Sequence, residues 1–426
     1  MNYQLDKIRE KFPALEIKDS GKRRIYFDNP AGTQVPREVI DAMHNCMIES
    51  NANIQGGFET SNRVDEILNE FHQSMADFLN ARFKEEIIFG QNMTTLTLHI
   101  SRSIGRTFEE GDEIILSRMD HDANISPWLL LAEDLGLKIK WLTFDSDSYE
   151  FDLSKLDDLF TSKTKIICVG GASNLIGTIN DIKTICKKAK KENILTYIDA
   201  VQLAPHVAID VQDVGCDFLV CSAYKFFGPH QGILWGRREI LESLQPYKVR
   251  PATTNLPGSF ETGTQSHEGM AGTTSAVNYF AWIGKEYASE YQKKDRYQKE
   301  RTMYIHAAFD YLFEYEKNLS LCLIEGLQSI KNIKIHGITQ SNSIDRRLPT
   351  VSFCVDGIHP IKIAEELGKN NIFVWSGHSY AIEVVKSLGI YDHGGVVRTG
   401  PVHYNSIKEV KEFIEVMERI VSSTSK

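Results

Sequence analysis

Residues 194–202 (ILTYIDAVQ) and 217–229 (DFLVCSAYKFFGP) decide how this chain is read. Each opens on an apolar, β-branched run and closes on a residue with chemistry, Asp199 in the first and Lys225 in the second. Short continuous apolar runs of this kind suit strands buried on both faces. Upstream, EEIIFG (85–90), DEIILS (112–117), KIKWLTF (138–144) and KTKIICVGG (163–171) read as strands. Between them TTLTLHISRSIGRTF (94–108), NISPWLLLAEDLG (124–136) and DIKTICKKAKKEN (181–193) read as helices, and GILWGR (232–237) follows as an apolar run. That alternation predicts an α/β fold with a mainly parallel central sheet covered on both faces. Active residues of such a sheet gather at the carboxyl ends of its strands.

The final third has a different texture. Residues 286–318 read as a long charged helix or helix pair. Strands are expected in LPTVSFCVDG (348–357), NIFVWSG (371–377) and GGVVRTG (394–400), and helices in 358–370 and 406–423. The expectation is a large domain over residues 21–290 and a smaller α+β C-terminal domain over 291–426, with an N-terminal helix in 1–20 grouped with the latter. Docking of that helix on either domain stays open.

Composition narrows the function. The 426 residues are 42% hydrophobic with a net charge of −9, which excludes a disordered chain and disfavours a general nucleic-acid binder, whose phosphate contacts need clustered Lys and Arg. No run of 18 or more uncharged apolar residues exists to span a membrane. The opening MNYQLDKIREKF is charged and helix-like, unlike a signal peptide. Seven cysteines (46, 168, 186, 216, 221, 322, 354) form no C-x-x-C pair, so free thiols in a cytoplasmic setting are expected, with no metal site.

Asp199 and Lys225 close neighbouring predicted strands and could share one crevice. A Lys set between apolar runs loses proton affinity and becomes a good amine nucleophile. A buried Asp needs a cation, and a protonated pyridine nitrogen would serve. Together they are the minimum set for pyridoxal 5′-phosphate, although an Asp–Lys ion pair satisfies the spacing equally well.

Six further segments bracket that pair. YFDNPAGT (26–33) resembles a Y-L-D-N-A-A opening, and MDHDANISPW (119–128) resembles E-H-H-A-N-I-x-P-W. SNLIGT (173–178) resembles S-N-x-x-G-T, DAVQ (199–202) resembles D-x-x-Q, and ETGT (261–264) resembles E-x-G-T. VVRTGPVHYN (396–405) resembles an R-x-S-x-x-x-Y-N close. Met in this order, nearly end to end, they make the chain similar to the class V aminotransferase family, in its cysteine desulfurase-like and selenocysteine lyase-like branch. The resemblance implies the type I pyridoxal-phosphate fold, aspartate aminotransferase-like. It implies Lys225 as the aldimine lysine and proton shuttle, Asp199 at the pyridine nitrogen, Gln202 at the ring hydroxyl and His121 stacked on the ring. Phosphate donors would come from Met93 and Thr94 at a helix start, from Ser222, and from Tyr224, where the family carries a His. Thr264 would reach the neighbouring subunit's phosphate in a homodimer. Arg398 would grip the substrate carboxylate, with Asn174 between it and the ring hydroxyl.

One departure bears on function. Desulfurases carry a loop Cys in a segment resembling R-x-G-H-H-C-A; here WSGHSYA (375–381) puts Tyr380 in that place. A substrate-binding role for Tyr380 is therefore expected, and no protein persulfide there. The reading is a lyase or transferase acting at Cα of a small amino acid. The alternatives are a true cysteine desulfurase or selenocysteine lyase using another sulfur acceptor, an aminotransferase or epimerase, and a non-catalytic binding protein.

Overall fold

A computed structural model describes residues 3–424; residues 1–2 and 425–426, which the expected N- and C-terminal regions include, lie outside the described residues. Seven strands form the main sheet: β1 (Ile87–Gly90), β2 (Glu113–Ser117), β3 (Lys138–Leu142), β4 (Thr164–Gly170), β5 (Leu195–Asp199), β6 (Phe218–Ser222) and β7 (Gly232–Gly236). Their order is β1-β7-β6-β5-β4-β2-β3. β7 runs antiparallel to both neighbours, and the remaining pairs are parallel. This is the mainly parallel sheet that the strand and helix alternation predicts.

Alternate residues feed opposite faces. Ile167, Val169, Ile198, Leu219 and Cys221 enter one core, while Ile166, Cys168, Tyr197, Phe218 and Val220 enter the other. Both faces being buried explains why these strands read as unbroken apolar runs. The register places Gly170 beside Asp199, and Asp199 beside Val220. The carboxyl ends of β4, β5 and β6 therefore form one edge, from which the functional loops leave.

A second sheet takes β8 (Ile333–His336), β9 (Val351–Val355), β10 (Trp375–Gly377) and β11 (Val396–Thr399) in the order β8-β9-β11-β10, all antiparallel. Two expectations change here. The charged stretch 286–318 is neither one helix nor a helix pair, but a connection followed by the first part of one helix. Helix His267–Glu286 ends where it was to begin, and the next runs Glu300–Ser329. The connection folds back on the second helix, with Tyr297 stacked on His306 at 4.4 Å and Lys293 paired with Asp310 at 2.8 Å. The run 371–377 splits between two sheets: Ile372–Phe373 pairs in parallel with Ile25–Tyr26, and Trp375–Gly377 pairs with β11.

Long-range segments join the two cores. Within helix Glu300–Ser329, Ile305, Phe309 and Leu312 pack under the main sheet, and Leu319, Leu323 and Leu327 pack into the second core. The N-terminal segment does the same: Ile8, Phe12 and Leu15 enter the first core, Ile25 and Phe27 the second. Asn29 Nδ2 then donates to the Gly400 carbonyl at 2.7 Å, fixing residues 28–31 against the strand that carries Arg398.

The site edge depends on one glycine. Gly232 opens β7 opposite both Gly90 and Ser222. A Cβ there would lie 2.3 Å from the Asn92 carbonyl carbon, in the turn that starts helix Met93–Gly105. Backbone cannot yield as a side chain does, so Gly232→Ala should displace that turn and cost about 1–3 kcal/mol of overpacking. Equilibrium denaturant unfolding measures this; an unchanged midpoint would contradict the tight approach.

Candidate active site

The loops leaving the main sheet enclose an inner cavity. It is lined by Met93, Thr94, His121, Asn174, Asp199, Gln202, Ser222, Tyr224 and Lys225. An outer cavity of about 560 Å³ shares Thr94, His121, Asn174, Gln202, Tyr224 and Lys225 with it, and adds Tyr380 and Arg398. The expected site residues are thus brought together, with one exception. Thr264 is exposed and lines a separate groove with Gln91, Thr95 and Gln231, away from Lys225 of the same chain.

Lys225 stands on the boundary of the two cavities and is only 8% exposed. It follows β6 in a single 3-10 turn, Ala223–Lys225. Its Nζ donates to the carbonyl oxygens of Pro30 and Ala31, the latter at 2.9 Å. Burial, with the Arg398 guanidinium second, pulls its proton affinity down to about 7, against the opposing pull of Asp28 and Asp199. Near neutral pH a substantial fraction is free amine.

Asp199 closes β5, and its Oδ1 accepts the Val201 N–H at 2.9 Å. Burial pushes it up to about 6, only partly offset by that bond and by Lys225. Asp120 had no expected role, yet it lines the same cavity. Its oxygens accept the Gly170 N–H at 2.9 Å and Asn124 Nδ2 at 2.7 Å. Burial pushes it up to about 7, and Asp199 raises it further. Two carboxyls held this high in one cavity favour a cationic occupant.

His121 carries little proton affinity. Burial first, then Lys225 and Arg398, hold it down to about 3. Its Nδ1 accepts the Ala123 N–H at 3.0 Å, so it is neutral with Nε2 protonated. Gln202 Nε2 donates to the Pro30 carbonyl at 2.8 Å. At the far end, helix Met93–Gly105 begins. First-turn amides have no intrahelical acceptor. Asn92 Oδ1 takes that of Thr95 at 2.8 Å, Ser222 Oγ takes that of Met93 at 3.3 Å, and Thr94 lines the cavity. Tyr224 stacks on His230 at 4.9 Å, and burial raises its hydroxyl pKa.

The outer cavity holds a guanidinium. Arg398 is 4% exposed; Nη1 donates to the Asn174 carbonyl at 3.1 Å, and Nη2 lies 3.5 Å from Asp28 Oδ1. Its buried Nε has no partner, and neither does Asn174 Oδ1. Burial raises Asp28 even beside Arg398. Asp28 and the two carbonyls meeting Lys225 were not expected here; their sole signal was membership of the segment 26–33.

The donor set fits pyridoxal phosphate. It offers helix-start amides and hydroxyls for an anion at one end, a neutral aromatic ring, carboxyls that lack a cation, and a buried amine. The depressed lysine generates a stability test on the cofactor-free chain. Its folded pKa lies below the ordinary 10.5, so the unfolded chain binds more protons between pH 7 and 10.5. Burying the charged form therefore costs stability in full below pH 7, and this cost fades as pH rises to 10.5. Lys225→Met should stabilise the apo protein by a few kcal/mol at pH 6 (about 1.4 kcal/mol per pKa unit) and by little at pH 10.5. Denaturant titrations at both pH values measure it; an equal effect at both would contradict it.

Comparison with known proteins agrees with this architecture. The family model described as aminotransferase class-V matches residues 25–413. A cysteine desulfurase of Pectobacterium carotovorum is 27% identical, with 99% of this chain and 98% of the relative covered. An aminotransferase-like protein, FGM3, of Gibberella zeae is 30% identical, with 99% of each covered. The apo structure of a cysteine desulfurase from Thermococcus onnurineus superposes with a TM-score of 0.86 at 28% identity, over 99% of both chains. No described helix is long and apolar enough to cross a membrane. The chain belongs to the aminotransferase class-V family, whose fold it has and whose cofactor is pyridoxal 5′-phosphate.

Proposed function

We propose that this enzyme binds an α-amino acid and breaks a bond at its Cα, without storing sulfur on the loop that carries Tyr380. One observation carries the reading: a buried, weakly basic lysine stands between a cavity with carboxyls, an aromatic ring and anion donors, and a cavity with a buried guanidinium. Lys225 would hold the cofactor covalently, Asp199 would face its ring nitrogen, His121 its ring face and Gln202 its ring hydroxyl. Met93, Thr94, Ser222 and Tyr224 would take the phosphate. Bound there, pyridoxal phosphate supplies an electron sink for the pair left at Cα.

The chain's own groups do the rest. Arg398 receives the substrate carboxylate, and Asp28 beside it balances its charge. Asn174 lines both cavities; its carbonyl accepts from Arg398, and its side-chain Oδ1 would lie between the ring hydroxyl and the substrate carboxylate. The Lys225 amine, near neutrality in its proton affinity, takes a proton from Cα and returns one. His121 stays uncharged and does not compete for that proton. A homodimer completes the reading, with Thr264, beside the turn that opens helix Met93–Gly105, facing the partner's site. Sedimentation of Thr264→Ala with a cofactor titration tests this: an unchanged dimer with weakened cofactor retention is expected.

The cysteines support a route without persulfide. Among the described residues none lines either cavity. Cys354 sits on β9 against His336 Nε2 at 3.5 Å, and burial pushes its thiol up to about 11, so it is not a ready nucleophile. The names of the relatives favour a second reading, cysteine desulfuration with an acceptor outside the chain. Sulfide release from cysteine by the wild type, enhanced in Tyr380→Cys, would select it.

The main test uses the purified holoenzyme. Added pyridoxal phosphate should give a visible absorbance band that Lys225→Ala lacks; a wild type without the band would end the reading. Amino acids should shift the band, and product analysis should find a keto acid, an elimination product or the D-isomer. Arg398→Gln should raise the substrate concentration needed for half the shift by roughly 10–100-fold, the range for a lost charge-assisted hydrogen bond. An unchanged titration would remove Arg398 from carboxylate binding.

A further inference from the structure

Resting on that function, we infer that the site is selective for α-amino acids with a bulky apolar side chain, aromatic or branched aliphatic, and that Tyr380 sets the preference. Ser379 and Tyr380 are consecutive non-glycine residues at φ 47° and 58°, in the left-handed region. Two such residues in a row cost conformational energy and persist only where surroundings hold them. Here the Asp122 N–H donates to the Tyr380 carbonyl at 2.8 Å, Asn174 Nδ2 to the Ser379 carbonyl at 2.7 Å, and the Ala381 N–H to the His378 carbonyl at 2.7 Å. The Tyr380 N–H donates to His378 Nδ1 at 3.0 Å. The first two bonds fix the loop against the site, and the last two brace it internally. The Tyr380 ring is thereby laid over His121, centroids 5.4 Å apart and planes at 22°. It is a wall held in place.

The rest of that wall is apolar. Leu98, Pro127, Leu130 and Trp375 line the outer cavity with Tyr380. Trp375 remains 53% exposed, Leu130 51% and Tyr380 65%, so the wall is uncovered at the mouth. The same cavity also carries polar groups. Arg398 Nε, Asn174 Oδ1 and Ser379 Oγ are buried and lack partners. An amino acid with its carboxylate on Arg398 and its Cα at Lys225 leaves only its side chain to meet the apolar wall. The wall's one acid, Asp122, has Oδ2 occupied by the Ser126 hydroxyl at 2.6 Å. The outer cavity, about 560 Å³, lies within the roughly 300–1,000 Å³ of an ordinary ligand pocket and leaves room for a large side chain. A side chain the size of cysteine's leaves that wall wet, whereas an aromatic ring dries it.

The test titrates the holoenzyme with L-phenylalanine, L-leucine, L-alanine, L-cysteine and L-aspartate, following the cofactor band. Half-saturation should come at least about tenfold lower for phenylalanine and leucine than for alanine, cysteine or aspartate, the lower range for side-chain discrimination in an apolar pocket. In Tyr380→Ala the phenylalanine-to-alanine ratio should fall towards one, while Tyr380→Phe should keep it. Alanine, cysteine or aspartate matching phenylalanine, or a ratio retained in Tyr380→Ala, overturns the preference and leaves the proposed function standing. A cofactor band that no amino acid shifts overturns both.

Discussion

The contact between the Lys225 ammonium and the carbonyls of Pro30 and Ala31 holds the site together. It joins three parts of the chain far apart in sequence. Lys225 is delivered by the edge of the main sheet; Pro30 and Ala31 belong to the N-terminal segment; Asn29, just before them, is bonded to Gly400 and to Asn405 beyond the last strand. A neutral amine would lose only modest hydrogen bonds there. The ammonium needs both carbonyls because burial and Arg398 oppose its charge. Lys225 is therefore held, and readily released to a better covalent partner. That is the property a cofactor lysine requires.

The same balance runs through the neighbours. Arg398 lowers Lys225 and His121, and Asp199 raises Asp120. An anion on Arg398 would soften the first effect, and a cation in the inner cavity the second. This charge arrangement suits a pyridinium, a phosphate and a carboxylate. The buried Arg398 Nε and Asn174 Oδ1, which have no partner, fit polar ligands in the same way.

Much of this was legible in the sequence where local pattern decides. β4, β5 and β6 read as apolar runs because both faces are covered, and the polar residues closing them, Asp199 and Ser222, mark the functional edge. Long-range pairing was not legible. Residues 371–377 look like one strand, but Ile372 and Trp375 answer to different partners, Ile25 and Arg398. The break before Glu300 depends on Tyr297 folding onto His306. Asp28 stood in plain view in the opening motif; only the fold brings it to Arg398. Asp120 was masked by the histidine beside it.

The account rests on the amine of Lys225 as the covalent anchor of the cofactor. The holoenzyme can be reduced with borohydride, digested, and its peptides mapped by mass spectrometry for a stable pyridoxyl group. The account predicts one modified peptide, containing Lys225, at near-stoichiometric yield. Modification on another lysine, or none above background, would contradict it.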